Sequence, residues 1–95
     1  MFAKVTAAHP MKNYRVLLEF EDGTVRLLDV KPWIDGEWYM QLKNVEYFNR
    51  VRPHSLSGAI EWPDGQDIAP EDIMEFGKRI YDLESSREPE TRFAV

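Results

Sequence analysis

The sequence Gly58-Ala-Ile-Glu-Trp-Pro-Asp-Gly-Gln-Asp-Ile-Ala-Pro70 predicts a tight turn between two short strands. Pro63 presets φ at the first turn position, and Gly65 supplies the left-handed position that closes a three-residue loop. This loop fixes the register of the two strands, which pairs Trp62 with Gln66 and Ile60 with Ile68. Pro70 favours the first position of a helix. The stretch therefore predicts a hairpin followed by a helix, and it specifies architecture rather than chemistry.

A second hairpin is predicted upstream. Apolar residues alternate over residues 14–20, which is typical of a half-buried strand, and Asp22-Gly23 predicts a two-residue turn before a strand over residues 24–30. This register pairs Phe20 with Val25 and Leu18 with Leu27. It also places Asp29 on the core face, so we expect a bulge near Leu27 or a second packed layer.

Shorter elements are predicted around this hairpin. Residues 2–8 favour a further strand that ends where His9-Pro10 removes a ladder donor. Residues 31–42 form an irregular segment, and we expect its large aromatic side chains to cover the core, namely Trp33, Trp38 and Tyr39. Asn44 can cap a short helix over residues 45–50.

The C-terminal part predicts a helix from Pro70 to about Leu83, with acidic residues in its first turn and basic residues near its end. Its apolar stripe consists of Ile73, Phe76, Ile80 and Leu83. The sequence thus predicts a single α+β domain over residues 1–84 and a flexible polar tail over residues 85–95. The domain is expected to hold a small antiparallel sheet built from two hairpins, one short helix, and a C-terminal helix packed on the sheet.

Composition excludes several classes of protein. The 95 residues contain no cysteine, so neither a disulfide nor a thiolate metal site can form. No stretch approaches the roughly 20 apolar residues that cross a bilayer, and we expect a soluble, cytoplasmic protein that does not bind membranes. Seventeen acidic residues against twelve basic ones give a net charge of −5, which disfavours nucleic-acid binding by this domain alone.

Catalytic motifs find little support in the sequence. His9 and His54 each stand alone in a Pro-flanked context, and the five glycines make neither a dinucleotide-binding loop nor a Walker loop. We therefore expect a protein that is not an enzyme and has no cofactor, metal or catalytic residues. If it were an enzyme, the titratable groups that could converge are Asp29, Glu61, Asp67 and His54.

The second hairpin carries the one constellation that invites a functional interpretation. Its register sets Glu61 opposite Asp67, a like-charge pair that is unfavourable by up to about 1 kcal/mol. A divalent cation, an arginine from a partner, or an internal arginine such as Arg52 could each resolve this repulsion. The predicted interaction surface consists of Glu61, Trp62, Asp64, Asp67 and Asp29.

Four segments together resemble the small bacterial domain-of-unknown-function family 2442. They are residues 20–26, Asp29, residues 42–48 and residues 60–67, the last containing Trp-Pro-Asp-Gly-x-Asp, and the resemblance covers about residues 3–83. It implies a compact α+β domain without an assigned activity, similar to the amino-terminal domain of a Nitrosomonas protein. Members of the family are often encoded beside a second small protein, an arrangement that resembles toxin and antitoxin pairs.

Three functional hypotheses remain open. The first is a protein-interaction module, an antitoxin-like member of a two-gene pair, that presents its acidic face to a small basic protein. The second is a small-ligand or divalent-metal-binding domain that uses the carboxylates of Asp29, Glu61 and Asp67. The third is a structural domain that associates with further copies of itself as a homo-oligomer.

Overall fold

The computed structural model describes residues 3–80, and every helix, strand and contact given below lies within them. Seven strands, three short α-helices and one 3-10 helix follow one another along the chain. Their bounds in chain order are β1 Val5–Met11, β2 Arg15–Phe20, β3 Val25–Asp29, α1 Lys31–Ile34, the 3-10 helix Glu37–Lys43, α2 Val45–Phe48, β4 Arg52–Pro53, β5 Ile60–Glu61, β6 Asp67–Ile68, α3 Pro70–Phe76 and β7 Lys78–Ile80. The predicted α+β class is confirmed.

The strands form two antiparallel sheets rather than the one that was predicted. The larger sheet has the order β1-β2-β3-β7, and the smaller has the order β4-β5-β6. Both predicted hairpins are present, but β2–β3 belongs to the larger sheet and β5–β6 to the smaller. Each hairpin joins its sheet by pairing with strands that lie outside the hairpin in the sequence. The local sequence pattern of a hairpin does not show which other strands it will pair with.

The predicted two-residue turn of the first hairpin is wrong, because its loop has three residues. The Phe20 N–H donates to the carbonyl of Thr24, the Gly23 N–H donates to the carbonyl of Phe20, and Gly23 has φ of +87°. Val16 therefore pairs with Leu28. The extra loop residue shifts the register by one, which turns every side chain of β3 to the opposite face of the sheet. Leu28 is therefore buried and Asp29 is exposed, the reverse of the prediction. No bulge near Leu27 is needed.

Asp22 stabilises this loop from within. Its Oδ1 accepts hydrogen bonds from both the backbone N–H and the hydroxyl of Thr24, at 3.0 and 2.7 Å. The hydroxyl bond, followed by the backbone bond, lowers the pKa of Asp22 below its ordinary value of 3.8. The aspartate thus fixes the residue that follows Gly23 and belongs to the turn.

The first strand extends further than predicted. It continues through His9 and Pro10 to Met11, and Pro10 pairs with Val16. A proline is tolerated there because β1 is an edge strand, so the missing N–H removes no hydrogen bond to a neighbour on the outer side. The predicted beginning of this strand at Phe2 lies outside the described residues.

The C-terminal helix is shorter than predicted, since α3 ends at Phe76 and residues 78–80 pair with β3 instead. Gly77 makes this change of direction. It has extended backbone angles, and a Cβ added to it would lie only 2.5 Å from the carbonyl oxygen of Ile73. Ile80 is therefore a strand residue and not part of a helical stripe. The predicted helix end at Leu83 and the predicted tail over residues 85–95 lie outside the described residues.

One hydrophobic core serves both sheets. Its fully buried side chains come from the larger sheet, from the smaller sheet and from the segments between them; the largest are Trp62, Phe48, Leu18, Leu28, Leu42, Ile60, Ile68 and Ile73. The core therefore joins the two sheets into one unit over residues 3–80.

We predict that Leu28→Ala destabilises the fold by about 2–5 kcal/mol, because it empties a fully buried site. The neighbouring Leu27→Ala is the matched control and should cost about 1 kcal/mol, because Leu27 lies on the outer face of the sheet. Urea unfolding measures both. An equal or larger loss for Leu27→Ala would show that the hairpin has the two-residue register.

Candidate functional site

The second hairpin forms as the sequence predicts. Ile60 pairs with Ile68, and the Trp62 N–H donates to the carbonyl of Gln66 at 2.8 Å. The Gly65 N–H donates to the carbonyl of Trp62 at 2.9 Å, and Gly65 has φ of +97°. A local turn signal with a proline and a glycine in the required positions is therefore sufficient to fix this loop.

An internal arginine, Arg52, forms an ion pair with one of the two facing carboxylates of this hairpin, that of Glu61. Glu61 pairs with Asp67 on one side and with Arg52 on the other, and Arg52 Nε lies 3.0 Å from Glu61 Oε2. His54 Nε2 lies 3.9 Å from the second oxygen of Glu61. Within residues 3–80, no group of three His, Asp or Glu side chains is arranged to hold a metal ion.

Trp62 does not contribute to a surface, which corrects its place among the predicted interaction residues. Its side chain is completely buried, its indole N–H donates to the carbonyl of Phe48 at 2.9 Å, and its ring lies 5.9 Å from the Phe48 ring. A large aromatic residue with a satisfied polar group is a strong anchor for a core. Trp62 therefore holds the turn in place from below.

A polar network supports the turn residue Asp64. The Tyr47 hydroxyl oxygen lies 3.0 Å from Asp64 Oδ2 and 2.9 Å from Oε1 of the buried Gln66, and it accepts the Asp64 N–H at 3.0 Å. The Gln66 amide donates to Gln41 Oε1 at 2.8 Å. These bonds fix the Asp64 carboxylate at the surface in one orientation.

The 3-10 helix places Trp38 beside the same turn. Side chains three residues apart share a face in such a helix, so Tyr39 and Leu42 point inward while Trp38 and Gln41 lie along the hairpin. The Trp38 side chain is 58% exposed. A Cβ placed on Gly65 would lie 3.9 Å from Cζ2 of Trp38, so the indole ring lies within van der Waals range of the turn.

The expectation that all three aromatic residues of this segment cover the core is therefore wrong for one of them. Trp33 and Tyr39 are partly buried and pack against the core, as predicted, but Trp38 is exposed. The sequence signal that could have identified Trp38 is the three-residue spacing of Tyr39 and Leu42, which leaves Trp38 off the inward face.

Negative charge acts on the hydroxyl of Tyr39, the residue that follows Trp38 in the chain. The Tyr39 hydroxyl donates to the backbone carbonyl of Asp67 at 3.0 Å. Burial raises the pKa of Tyr39 above its ordinary value of 10.0, and the negative charges of Asp67 and Asp72 raise it further. Trp38, Asp64, Gly65 and Asp67 together are called the Trp38 surface below.

Asp29 does not join this group. It lies at the end of β3 in the larger sheet, where its Oδ1 accepts the backbone N–H of Lys31 at 3.0 Å and lies 3.3 Å from the Lys31 ammonium. Of the five predicted interaction residues, the structure thus places Asp64 and Asp67 at the Trp38 surface. Glu61 is paired with Arg52, and Trp62 is buried.

Comparison with known proteins identifies a family without an assigned activity. The family model described as "Protein of unknown function (DUF2442)" matches residues 5–79, and the chain belongs to this family. Neither the curated proteins nor the solved structures contain a match. Among residues 3–80, no helix has both the length and the apolar character that crossing a membrane requires.

We predict that Tyr47→Phe lowers the free energy of unfolding by about 1–3 kcal/mol, because it removes a hydroxyl that serves the buried Gln66 carbonyl. Tyr39→Phe is the matched control. Its hydroxyl bonds to a carbonyl of the exposed Asp67, which water can reach, so the loss should be smaller. Thermal or urea unfolding of both variants measures the difference, and equal losses would contradict the account of the network.

We also predict that Asp67→Asn lowers the pKa of Tyr39 toward 10, because it removes a negative charge that opposes formation of the tyrosinate. The tyrosine ring carbon bonded to oxygen, followed by NMR between pH 8 and 12, reports this titration. Glu19→Gln, in the larger sheet, should leave the Tyr39 titration unchanged. An unchanged pKa in Asp67→Asn would mean that Asp67 does not act on this site.

Proposed function

We propose that this chain is a protein-interaction module that binds a basic partner protein through the Trp38 surface. The observation that carries the proposal is an exposed tryptophan that lies against Gly65, in a turn that also holds the exposed Asp64 and is followed two residues later by the exposed Asp67. Trp38 is neither in the hydrophobic core nor packed against it, so burial does not account for a tryptophan at this position.

The chemistry of the surface favours a cationic partner. Tryptophan is enriched among the residues that dominate binding energy at protein interfaces, and its ring attracts the lysine ammonium and the arginine guanidinium. The carboxylates of Asp64 and Asp67 add charge complementarity, and a net charge of −5 steers a basic protein toward this domain. A lysine or arginine stacked on Trp38 could then form an ion pair with either aspartate.

Preorganisation supports the same proposal. The Tyr47 hydroxyl accepts the Asp64 N–H and shares its single proton between the Asp64 carboxylate and Gln66 Oε1, so Asp64 loses little freedom when a partner binds. Gly65 adds no side chain that would separate Trp38 from the turn. The turn therefore presents a fixed acidic group at Asp64 and approaches an exposed aromatic ring at Gly65, so binding needs no rearrangement of Asp64.

Within this function, we propose an antitoxin-like role toward a small basic protein encoded beside this chain. The support is the acidic charge of this domain, together with what the resemblance to the family implies, namely that its members are often encoded beside a second small protein. The metal-binding hypothesis has lost its main motive, because the Arg52 guanidinium pairs with Glu61 and no metal ion is needed to offset this carboxylate.

The test is binding between the purified chain and the protein encoded beside it, measured by calorimetry at low and at physiological salt. We expect that Trp38→Ser and Asp67→Lys each weaken binding at least tenfold, in line with the cost of removing a dominant interface residue. Leu56→Ser and Glu19→Lys are matched controls, because Leu56 is 82% exposed and Glu19 lies in the larger sheet.

Two outcomes contradict the proposal in different ways. If Trp38→Ser binds as tightly as the wild type, the Trp38 surface is not the interface. If the neighbouring protein binds through Trp38 but its expression does not arrest growth, the chain is an interaction module and the antitoxin-like role fails. Growth arrest that is relieved by the wild type, and not by Trp38→Ser, supports both.

A further inference from the structure

A strained turn joins β1 to β2. Asn13 and Tyr14 have φ of +63° and +58°, which places both in the left-handed region. Asparagine adopts this conformation readily, but a bulky side chain such as tyrosine rarely does. The surrounding structure must therefore hold Tyr14 in this conformation.

Three contacts hold Tyr14. Its hydroxyl donates to the carbonyl of Lys43, its ring meets the Phe48 ring edge to face with centroids 5.3 Å apart, and its own carbonyl accepts the Val30 N–H at 2.9 Å. These contacts come from three different parts of the chain. The ring is consequently a fixed wall at the surface and not a mobile side chain.

This wall separates two open clefts. The first has a volume of about 290 Å³ and is lined by Met11, Lys12, Asn13, Tyr14, Val45 and Phe48. The second has a volume of about 340 Å³ and is lined by Tyr14, Lys31, Ile34, Asp35 and Lys43. Both are near the lower limit of about 300 Å³ for pockets that enclose a small-molecule ligand, so each suits a single side chain.

The first cleft exposes apolar surface that the fold does not need to expose. Val45 is 58% exposed and Met11 is 46% exposed, on either side of the buried Phe48. Val45 and Phe48 lie three residues apart in α2, on one side of the helix, and both line this cleft. An aromatic or aliphatic side chain inserted here would remove this surface from water.

Positive charge surrounds the clefts in a chain that is acidic as a whole. Among the described residues, neither Lys12 nor Lys43 forms an ion pair, whereas Lys31 is engaged with Asp29 and with the carbonyl of Asn13. Asp35 is the one carboxylate in the lining of either cleft. The first cleft therefore combines apolar walls with an uncompensated ammonium group.

We propose that this site binds an acidic segment of a partner protein, which inserts one apolar side chain into the first cleft. Carboxylates of the segment lie over Lys12 and, across the wall of Tyr14, over Lys43. A peptide fits better than a small molecule, because the clefts are open and lie in a row on either side of one ring. The preferred charge is opposite to that of the Trp38 surface, so the site is a second and independent one.

A panel of random twelve-residue peptides displayed on phage tests the proposal. Peptides are selected for binding to the wild type, and the number that also bind Val45→Glu is then measured. This substitution places a negative charge at an exposed position in the mouth of the cleft. Leu56→Glu is the matched control, since it makes the same kind of change at another exposed aliphatic residue. Circular dichroism and urea unfolding first establish that all three proteins fold equally well.

We expect the selected peptides to carry net negative charge and one aromatic or large aliphatic residue. A synthetic peptide from this selection should bind Lys12→Glu and Val45→Glu at least tenfold more weakly than the wild type, and Leu56→Glu with unchanged affinity. In ¹⁵N-labelled protein, its largest amide shifts should fall on residues 11–15 and 43–48.

Three results would overturn the proposal. They are a selection that yields no peptide, a selection without acidic bias, and peptides that bind Val45→Glu as well as the wild type. In each case the strain at Tyr14 serves only to join the two layers of the fold. The Trp38→Ser variant should keep its affinity for the peptide. Loss of peptide binding therefore tests the clefts beside Tyr14 independently of the binding proposed for the Trp38 surface.

Discussion

The hydrogen bond from the Trp62 indole N–H to the carbonyl of Phe48 is the constraint on which the rest of this structure depends. It fixes the β5–β6 hairpin to α2 at the centre of the core. Phe48 in turn packs against Tyr14, whose ring and backbone hold the turn between β1 and β2. Three aromatic rings in sequence, Trp62, Phe48 and Tyr14, therefore link the smaller sheet to the larger one.

Both proposed binding surfaces lie at the ends of this aromatic connection. At one end, the buried Trp62 supports the turn that carries Asp64 and Gly65, beside which Trp38 is exposed. At the other end, Tyr14 forms the wall between two clefts with lysine rims. A core that is rigid at these points presents each surface in a fixed geometry, which reduces the entropy that binding must overcome. The opposite charges of the two surfaces suit different partners or different segments of one partner.

Sequence reasoning was most successful where the structure is decided locally. Pro63 and Gly65 fix their loop without help from distant residues, and Asn44 caps α2 through its own side chain. Asp22-Gly23 is different, because the dipeptide is compatible with loops of two or of three residues. Burial of Leu28 decides between them, and that burial depends on elements far away in the chain.

Sequence reasoning failed where distant contacts override a local pattern. The apolar helical pattern that begins at Ile73 continues in the sequence beyond Phe76. In the structure, however, α3 ends before Gly77, and residues 78–80 pair with β3 as a strand. Trp38 is exposed because a 3-10 helix repeats every three residues, and the spacing of Tyr39 and Leu42 is the one local sign of that helix in a segment predicted to be irregular. Within the Trp-Pro-Asp-Gly turn, Trp62 is buried in the core and Asp64 is exposed, a difference that the local sequence does not reveal.

Hydrogen exchange of the three indole N–H groups tests this account most directly, because Trp62 and Trp38 are predicted to behave in opposite ways. The Trp62 indole proton should exchange only through global unfolding, at the same free energy as the central amides of β2, and the Trp38 indole proton should exchange almost as fast as in an unstructured peptide. Rapid exchange at Trp62, or protection at Trp38 in the isolated chain, would contradict the account.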